Sequence, residues 1–269
     1  MKFIHISDLH FHMNTADNTA ANKLLSTIGE QNPDHKLIVT GDITDDGHPK
    51  QFKNAYDALK PFIGNVFIAP GNHDFGAKGN FYSRERACRF DEMLSTQLKQ
   101  GGTFMGDNTP VINIVDQEND RAILIALDTN LETYMPFDFA CGAVGDEQLS
   151  TLDMILSDPL NAGAVKILFF HHHPFMHNNP FMELTDARNL MRIIYARVDL
   201  LLFGHKHVYE QWQNRCGIPF ILASDNSPGK DYAHEISIQN KKITVDKISL
   251  KPSRKKKTGK KKKPKHKGR

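Results

Sequence analysis

The strongest constraint on the fold of this chain is a repeated local pattern, in which a short apolar segment ends in residues that can bind metal ions. The polar clusters read DLH, GD, GNHD, HHHP and GHKH, at positions 8–10, 41–42, 71–74, 171–174 and 204–207. The apolar segments predict buried strands, and loops at one end of a parallel sheet converge on one point. Carboxylate, amide and imidazole groups together suit a pair of hydrolytic transition-metal ions.

The order of the predicted elements indicates an α/β fold. Strands are predicted at 2–7, 36–40 and 65–69, with helices at 16–31 and 49–59 between them. This order implies right-handed crossovers and a parallel sheet. The later predicted strands are 111–115, 121–127, 166–170, 199–203, 220–223, 236–239 and 243–245, and the later predicted helices are 81–99, 147–156 and 183–196. Many strands flanked by helices indicate two sheets packed face to face and covered by helices.

Length and charge divide the chain into a globular body and a basic tail. A chain of 269 residues can form one large domain or two small ones, and no boundary is evident before about residue 250. Residues 251–269 contain twelve Lys or Arg and no acid, whereas the rest has 22 basic and 31 acidic residues, a net charge near −9. So polar a segment cannot offset its ordering entropy. We therefore predict a folded domain at 1–250 and a disordered Lys/Arg-rich tail at 251–269.

The basic tail has two interpretations. It is either a solvated, solubilising segment or an electrostatic tether to nucleic acid, ribosomes or another anionic surface. It has no interleaved aromatic residues on which bases would stack.

The compartment is inferred from cysteine usage and from apolar segments. The three cysteines, Cys88, Cys141 and Cys216, are odd in number and far apart, which argues against a disulfide framework. No apolar segment is long enough to span a bilayer, and the strand-like N-terminus argues against a secretory signal. These features favour a cytoplasmic protein and leave its oligomeric state open.

Two of the polar clusters have ordinary explanations when taken alone. Asp8 and His10 would lie on the same face of an extended segment, but a polar strand end explains them equally well. Gly41 before Asp42 would let the backbone pass close to an ion, although Gly-Asp is also a common turn.

The other clusters are harder to explain without a ligand. Asn72 and His73 follow a tight turn, and His205 and His207 would present two imidazoles on one side of an extended segment. The histidine run at 171–173 is ambiguous, because adjacent side chains in a strand-like segment point in opposite directions. Either its middle residue or its two outer residues could then face the metal site. Among the other histidines, His12 is the best placed to line the site, since it closely follows the first cluster.

Together the clusters resemble the calcineurin-like metallophosphoesterase superfamily, whose motifs are D-x-H, G-D, G-N-H-[DE], H and G-H-x-H in that order. The matching residues extend from Asp8 to His207. The HHP segment before GHxH, together with the segment from Gly142 to Leu149, is most similar to the class III cyclic-nucleotide phosphodiesterases. The resemblance implies a four-layer αββα sandwich of two mixed β-sheets flanked by helices.

The resemblance also implies the roles of individual residues. One divalent ion would be held by Asp8, His10 and His207 and the other by Asn72, His172 and His205, with Asp42 bridging both. His73 would contact the phosphate, beside Asn72 and His12, and protonate the leaving oxygen. Asp45 would hydrogen-bond to His73 and orient it, and Asp74 would have a structural role. Histidine and asparagine ligands favour manganese, iron or zinc over magnesium.

The expected function is hydrolysis of a small phosphodiester, for example a 3′,5′-cyclic nucleotide, by in-line attack of a metal-bridging hydroxide. The alternatives are a phosphomonoesterase or a nucleotide-sugar pyrophosphatase on the same ions, which the loops at 75–106 and 130–146 would distinguish. A phosphoesterase tethered to nucleic acid is a further alternative. A non-catalytic scaffold is disfavoured because no ligand of the pattern is missing, and the acidic body argues against a dedicated nuclease.

Overall fold

Thirteen strands and six α-helices occur in the residues that the structure, a computed structural model, describes: 1–106, 110–130, 140–176 and 179–251. The strands are β1 Lys2–Ile6, β2 Lys36–Thr40, β3 Val66–Ala69, β4 Gly76–Ala77, β5 Phe81–Tyr82, β6 Val111–Gln117, β7 Asp120–Ala126, β8 Val165–Phe169, β9 Leu200–Phe203, β10 Glu210–Arg215, β11 Ile218–Ala223, β12 Tyr232–Gln239 and β13 Lys242–Ser249. The α-helices are α1 Thr19–Gln31, α2 Pro49–Leu59, α3 Asn72–Phe75, α4 Arg84–Phe90, α5 Asp146–Ser157 and α6 Ala187–Ile194. Two 3-10 helices, Lys60–Phe62 and Pro159–Asn161, and a π-helix, Asp91–Ser95, also occur.

The larger strands form two mixed sheets. The first sheet has the order β13-β12-β1-β2-β3, with β1, β2 and β3 parallel and β12 and β13 antiparallel to their neighbours. The second sheet has the order β10-β11-β9-β8-β7-β6, with four parallel strands between antiparallel edge strands. In each sheet the parallel strands therefore end at one edge. Strands β4 and β5 form a separate small hairpin.

Strand β9 shows why the sheets pack into layers. Leu200 and Leu202 belong to the buried cluster that contains apolar residues of both sheets. Leu201 and Phe203 point to the opposite side and belong to the cluster that α5 and α6 cover. All four side chains are fully buried, as expected for a strand covered on both faces. The predicted four-layer αββα sandwich is confirmed.

Several predicted elements have the expected bounds for identifiable reasons. Helix α2 spans Pro49–Leu59 as predicted, with the side chain of His48 capping its first turn and proline at its first position. The last hairpin turns at Asn240 and Lys241, whose φ angles of 51° and 61° are those of a type I′ turn. The carboxylate of Asp120 accepts both backbone N–H groups of this turn.

Other elements differ from the prediction. Strand β10 was not predicted, because it is an edge strand of mostly polar residues with only Trp212 as a large apolar side chain. The helix predicted at 183–196 begins only at Ala187. The carboxylate of the preceding Asp186 accepts hydrogen bonds from the backbone of Val144 and Gly145, which holds this segment outside the helix.

Two predicted segments fall partly outside the described residues. Of the tail predicted at 251–269, only Lys251 is described, and the loop at 130–146 lacks a description over 131–139. Within the described part of the chain, no helix combines the length and the apolar character needed to cross a bilayer.

Candidate metal centre

The loops that follow β1 and β2 run side by side. The backbone N–H of Asp8 donates to the carbonyl of Gly41 at 3.1 Å, and that of His10 donates to the carbonyl of Asp42 at 3.0 Å. These bonds continue the parallel pairing past the ends of the strands. The predicted ligands of the two loops are therefore adjacent.

Five of the predicted ligands have a left-handed backbone conformation. The φ angles are 59° for Asp8, 46° for His10, 48° for Asp42, 72° for His205 and 53° for His207. Such angles are uncommon for residues that carry a Cβ atom, and they concentrate at functional sites. The spacing of the D-x-H and H-x-H pairs predicted extended segments, but the backbone at these residues is not extended. Left-handed turns direct these side chains instead.

Two glycines allow the loops to approach the carboxylates closely. A Cβ atom on Gly204 would lie 1.9 Å from Oγ of Ser7 and 2.6 Å from Oδ2 of Asp8. A Cβ atom on Gly71 would lie 2.2 Å from Oδ1 of Asp42. Any larger residue at either position would displace a predicted ligand.

Four donor atoms meet at one point of the site. Nε2 of His171 lies 3.1 Å from Oδ2 of Asp42 and 3.0 Å from Oδ1 of Asn72. Nδ1 of His205 lies 3.0 Å from the same Asn72 oxygen and 3.2 Å from Nε2 of His171. Ligands bound about 2.1 Å from one ion are themselves roughly 3.0–3.4 Å apart. The spacing of these four atoms fits a single cation.

The hydrogen bonds of the two histidines direct their lone pairs into this group. Nδ1 of His171 lies 2.8 Å from the carbonyl oxygen of Thr40, and Nε2 of His205 lies 3.1 Å from that of Met182. A carbonyl only accepts hydrogen bonds, so these two nitrogens carry the protons. The opposite nitrogens then face the group as acceptors when the rings are neutral. Converging acceptors are stable when a cation lies among them.

The charges of the group also attract a cation. Burial opposes protonation of His171, but the carboxylates of Asp42 and Asp8 raise its pKa to about 9. Burial and the neighbouring His171 lower the pKa of His205 to about 3. Burial opposes ionisation of Asp42, yet His171 and His73 hold its pKa well below the usual range. An ionised, buried carboxylate is therefore present at the centre of the group.

Asp8, His10 and His207 form a second group, in which one ligand atom of each lies within 4.8 Å of the others. Nε2 of His207 is 3.8 Å from Oδ1 of Asp8, and Nε2 of His10 is 4.0 Å from Oδ2 of Asp42. Oδ2 of Asp8 and Nε2 of His10 are buried without a hydrogen-bond partner among the described residues. Buried polar atoms are rarely left unpaired, so both atoms fit ligands of a second cation. Asp42 lies between the two groups.

His172 does not join either group. Its Nδ1 lies 2.8 Å from Oγ1 of Thr129, and burial with the neighbouring His205 lowers its pKa well below the usual value. The structure places His171 where the resemblance implied His172. The reason is strand alternation: Phe169 faces the core between the sheets, so His171 faces the same side and His172 the other.

Asp45 orients His73 in a different way from the prediction. Nδ1 of His73 lies 2.8 Å from the backbone carbonyl oxygen of Asp45, not from its carboxylate. The carboxylate lies 3.6 Å from Nδ1 of His10 and 3.3 Å from Nδ1 of His12. The backbone N–H of Asp45 donates to the carbonyl of Phe11, which holds this side chain against the loop after β1.

The predicted structural residue Asp74 holds two loops together. Its carboxylate accepts hydrogen bonds from the backbone of Ile43, Thr44 and Gly71. Burial and the nearby Asp42 raise its pKa to about 6. The loops after β2 and β3 are therefore joined beneath the candidate metal ligands.

Sequence reasoning missed Asp225, which lies 3.6 Å from Nδ1 of His207 through its Oδ1. Burial opposes its ionisation, but the nearby imidazole of His207 and the hydrogen bonds from Ser227 lower its pKa to about 2. The charged carboxylate orients the imidazole of His207 toward Asp8. The signal was available, because Asp225 closely follows β11, just as the other clusters follow their strands.

Comparison with known proteins identifies the family and several relatives. The chain matches the calcineurin-like phosphoesterase family over residues 1–209. A probable cyclic nucleotide phosphodiesterase of Coxiella burnetii is 24% identical over 217 residues, which cover 77% of this chain and 76% of that protein. One from Rhodococcus erythropolis is 30% identical over 207 residues, which cover 76% and 61%. A glycerophosphodiester phosphodiesterase of Enterobacter lignolyticus is 26% identical over 230 residues, which cover 80% and 74%.

Solved structures share the fold. A dimetal phosphatase from Danio rerio has a TM-score of 0.62 and 15% identity, and the match covers 93% of this chain and 96% of that one. A purple acid phosphatase from yellow lupin (Lupinus luteus) has a TM-score of 0.64 and 12% identity, with 93% and 51% covered. The chain belongs to the calcineurin-like phosphoesterase family, is similar to proteins named as cyclic nucleotide phosphodiesterases, and is a hydrolase of phosphoric esters.

Proposed function

We propose that this chain hydrolyses a small phosphodiester at a dinuclear metal centre, with 3′,5′-cyclic nucleotides as the leading substrates. The observation that carries the proposal is the position of Asp42 between two groups of converging donor atoms. Two ions that share one carboxylate are suited to the displacement of an alkoxide from phosphorus. The names of the relatives, which include cyclic nucleotide and glycerophosphodiester phosphodiesterases, support a diester as substrate.

The ligand set follows the two groups. We assign Asp8, His10 and His207 to one ion and Asn72, His171 and His205 to the other, with Asp42 shared by both. The mixture of nitrogen and oxygen donors favours manganese, iron or zinc. When bound, such ions supply Lewis acidity toward the phosphoryl oxygens and activate a water molecule as the nucleophile.

We assign His73 the role of protonating the leaving group. Its Nδ1 donates to the carbonyl of Asp45, which fixes the ring and leaves Nε2 for the substrate. The ring meets that of His10 edge-on, with 4.8 Å between the centroids, so it stands beside the metal ligands. In its protonated form, Nε2 donates to a phosphoryl oxygen and then to the departing alkoxide, an effect typically worth about 10²–10⁴-fold in rate.

Asn72 and His12 have different relations to the substrate. Nδ2 of Asn72 donates one of its two N–H groups to the carbonyl of Gly79 at 2.9 Å, which orients the amide so that its oxygen acts as a ligand. His12 is more exposed, and its Nδ1 is held by the carboxylate of Asp45. We assign His12 to the rim of the site, where it contacts the substrate from the side of β1.

Hydrolysis of bis(p-nitrophenyl) phosphate by the purified protein with added manganese tests the proposal. We expect activity in the wild type, a loss of roughly a thousandfold or more in Asp42→Ala, and no loss in Asp116→Ala, which removes an exposed carboxylate. Absence of activity, or full activity of Asp42→Ala, would refute the hydrolytic centre. Relative rates on cyclic AMP, AMP and a UDP-sugar separate a phosphodiesterase from a phosphomonoesterase or a nucleotide-sugar pyrophosphatase.

We further propose that residues 1–250 form the catalytic domain and that the tail at 251–269 tethers it to nucleic acid or another anionic surface. The twelve basic residues of the tail support this, and retention on nucleic acid at low salt should disappear when 251–269 are deleted. Retention of the truncated protein would refute the tether. None of the three cysteines forms a disulfide bond, which supports the proposed cytoplasmic location.

A further inference from the structure

A groove of about 800 Å³ lies on the outer side of the second sheet, between the start of α6 and the turn that joins β10 to β11. Phe175, Leu184 and Met191 contribute apolar surface to it, and Arg188 and Arg215 contribute positive charge. The volume is in the range of pockets that hold a drug-sized ligand. None of the residues that line the groove is assigned to the metal centre.

Arg215 is held in position by aromatic rings. Its guanidinium carbon lies 3.7 Å from the ring centre of Phe175 and 5.2 Å from that of Trp212. Stacking of this kind fixes the plane of the guanidinium and leaves the N–H donors at its rim free. Within the described ranges, neither Arg215 nor Arg188 forms an ion pair with a carboxylate.

The lining of the groove also contains two acidic residues. The carboxylate of Asp186 accepts hydrogen bonds from the backbone of Val144 and Gly145 and is therefore already satisfied. Glu183 is the other carboxylate in the lining. The two arginines and the two carboxylates of the lining therefore balance in formal charge, but neither arginine is ion-paired within the described ranges, so their donors remain available to an anion.

We propose that this groove is a second ligand site, which binds an organic phosphate monoester. The planar donors of Arg215 match the oxygens of a phosphate group, and Arg188 adds a second positive charge. The apolar surface of Phe175 and Met191 holds the organic part of the ligand. A phosphate monoester carries both features in one small molecule, whereas inorganic phosphate leaves the apolar surface exposed.

The groove is connected to the metal centre along the chain. Pro174 lines the groove and directly follows the three histidines, and Glu183 directly follows Met182, whose carbonyl accepts from His205. Hydrolysis of a phosphodiester releases a phosphate monoester, so the groove would bind a product of the reaction. This link to the product rests on the proposed function, whereas the binding site itself does not.

Trp212 makes the proposal directly testable, because it is the only tryptophan of the chain and lies in the ring cluster beneath Arg215. Tryptophan fluorescence of the full-length, zinc-loaded protein is followed during titration with AMP, inorganic phosphate or adenosine. We expect a saturable change with AMP, weaker binding of phosphate, and little response to adenosine. The same result is expected after chelation of the metal, since the groove contains no metal ligand.

Two variants examine the arginines separately. Arg188→Gln and Arg215→Gln should each weaken AMP binding about tenfold or more, measured by calorimetry as well, because Arg215→Gln alters the surroundings of Trp212. Arg188 is exposed, so its substitution should leave the fold intact. Arg121→Gln, which removes an exposed arginine of β7, should bind AMP as the wild type does.

Three results would overturn the second site: no saturable response to AMP, unchanged affinity in both arginine variants, or binding that disappears with the metal. The last result would assign the ligand to the metal centre. Failure of the proposed function is distinguishable, because an inactive protein that still binds AMP through Arg188 and Arg215 retains the second site.

Discussion

Nε2 of His171 lies 3.1 Å from Oδ2 of Asp42, and the two residues come from different sheets. Asp42 follows β2 of the first sheet, whereas His171 follows β8 of the second. Both side chains are buried, so this contact joins the sheets at the edge where their parallel strands end. The candidate metal centre is therefore an interface between the two halves of the sandwich.

The first prediction distinguishes His171 from His172. His171→Ala should lower the bound metal from two ions to one, because it removes a donor atom that lies close to Asp42 and Asn72. His172→Ala should retain both ions, since this imidazole is hydrogen-bonded to Thr129. Metal content of the purified variants by elemental analysis gives the answer. Loss of one ion in His172→Ala but not in His171→Ala would support His172 as the ligand, as the resemblance implied.

The second prediction concerns removal of the metal. Because the ions would bind residues of both sheets, they stabilise only the folded state. At a free metal concentration about a hundred times Kd, binding adds about 2.7 kcal/mol to the free energy of unfolding. This corresponds to a rise in Tm of roughly 5–10 °C. Thermal unfolding before and after chelation, followed by addition of zinc, measures this difference. An unchanged Tm would contradict metal binding across the sheets.

The third prediction concerns Asp225. Asp225→Asn should weaken metal binding about 10–100-fold, because the amide no longer provides the negative charge that orients His207. The apparent activity should recover at high metal concentration. Asp153→Asn is the matched control, since this carboxylate pairs with Arg197 on the surface. If the activity of both variants depends on metal concentration in the same way, Asp225 has no role in metal binding.

The fourth prediction separates the two functions of Asp45. The backbone carbonyl of Asp45 holds His73 and is unchanged by substitution of the side chain. Asp45→Asn should therefore disturb mainly the orientation of His10 and His12, and raise the metal concentration needed for activity. His73→Ala should instead slow the hydrolysis of diesters with poor leaving groups by about 10²–10⁴-fold and spare p-nitrophenyl esters.

Rates at saturating metal on an alkyl ester and on a p-nitrophenyl ester provide the comparison. If Asp45→Asn shows the same leaving-group dependence as His73→Ala, the carboxylate orients His73 after all, as the resemblance implied.

The fifth prediction concerns stability in acid. Burial lowers the pKa of His234 from 6.5 to about 4, so the folded protein keeps this ring neutral while the unfolded chain is protonated below pH 6.5. Stability is therefore full above pH 6.5 and is lost as the pH falls toward 4, by up to about 3 kcal/mol for this group.

Urea unfolding of the wild type and of His234→Gln between pH 7 and 4 measures this loss. The variant should lose less stability in acid, although it starts lower because the ring stacks on Tyr209. His266→Gln, which removes a histidine of the basic tail, is the control and should keep the acid sensitivity of the wild type. Identical pH profiles for all three proteins would contradict the role of His234.

The sequence determined most of the elements and most residues of the candidate metal centre, because both follow from local patterns. Runs such as KLIVT are buried strands in any packing, and a parallel strand delivers the residues after it to one edge of the sheet. Asp8, His10, Asp42, Asn72, His205 and His207 lie together as the motifs implied.

Only the tertiary structure decided which histidine of the run joins Asp42 and which atom of Asp45 meets His73. Both choices depend on the direction of a side chain relative to a partner far away in sequence. His171 reaches Asp42 because it lies on the same face of its strand as Phe169, and this face packs against the first sheet. The side chain of Asp45 faces His10 and His12 because its backbone N–H donates to the carbonyl of Phe11. Local spacing contains neither the packing of two sheets nor the pairing of two loops, so these contacts appear only when the layers are assembled.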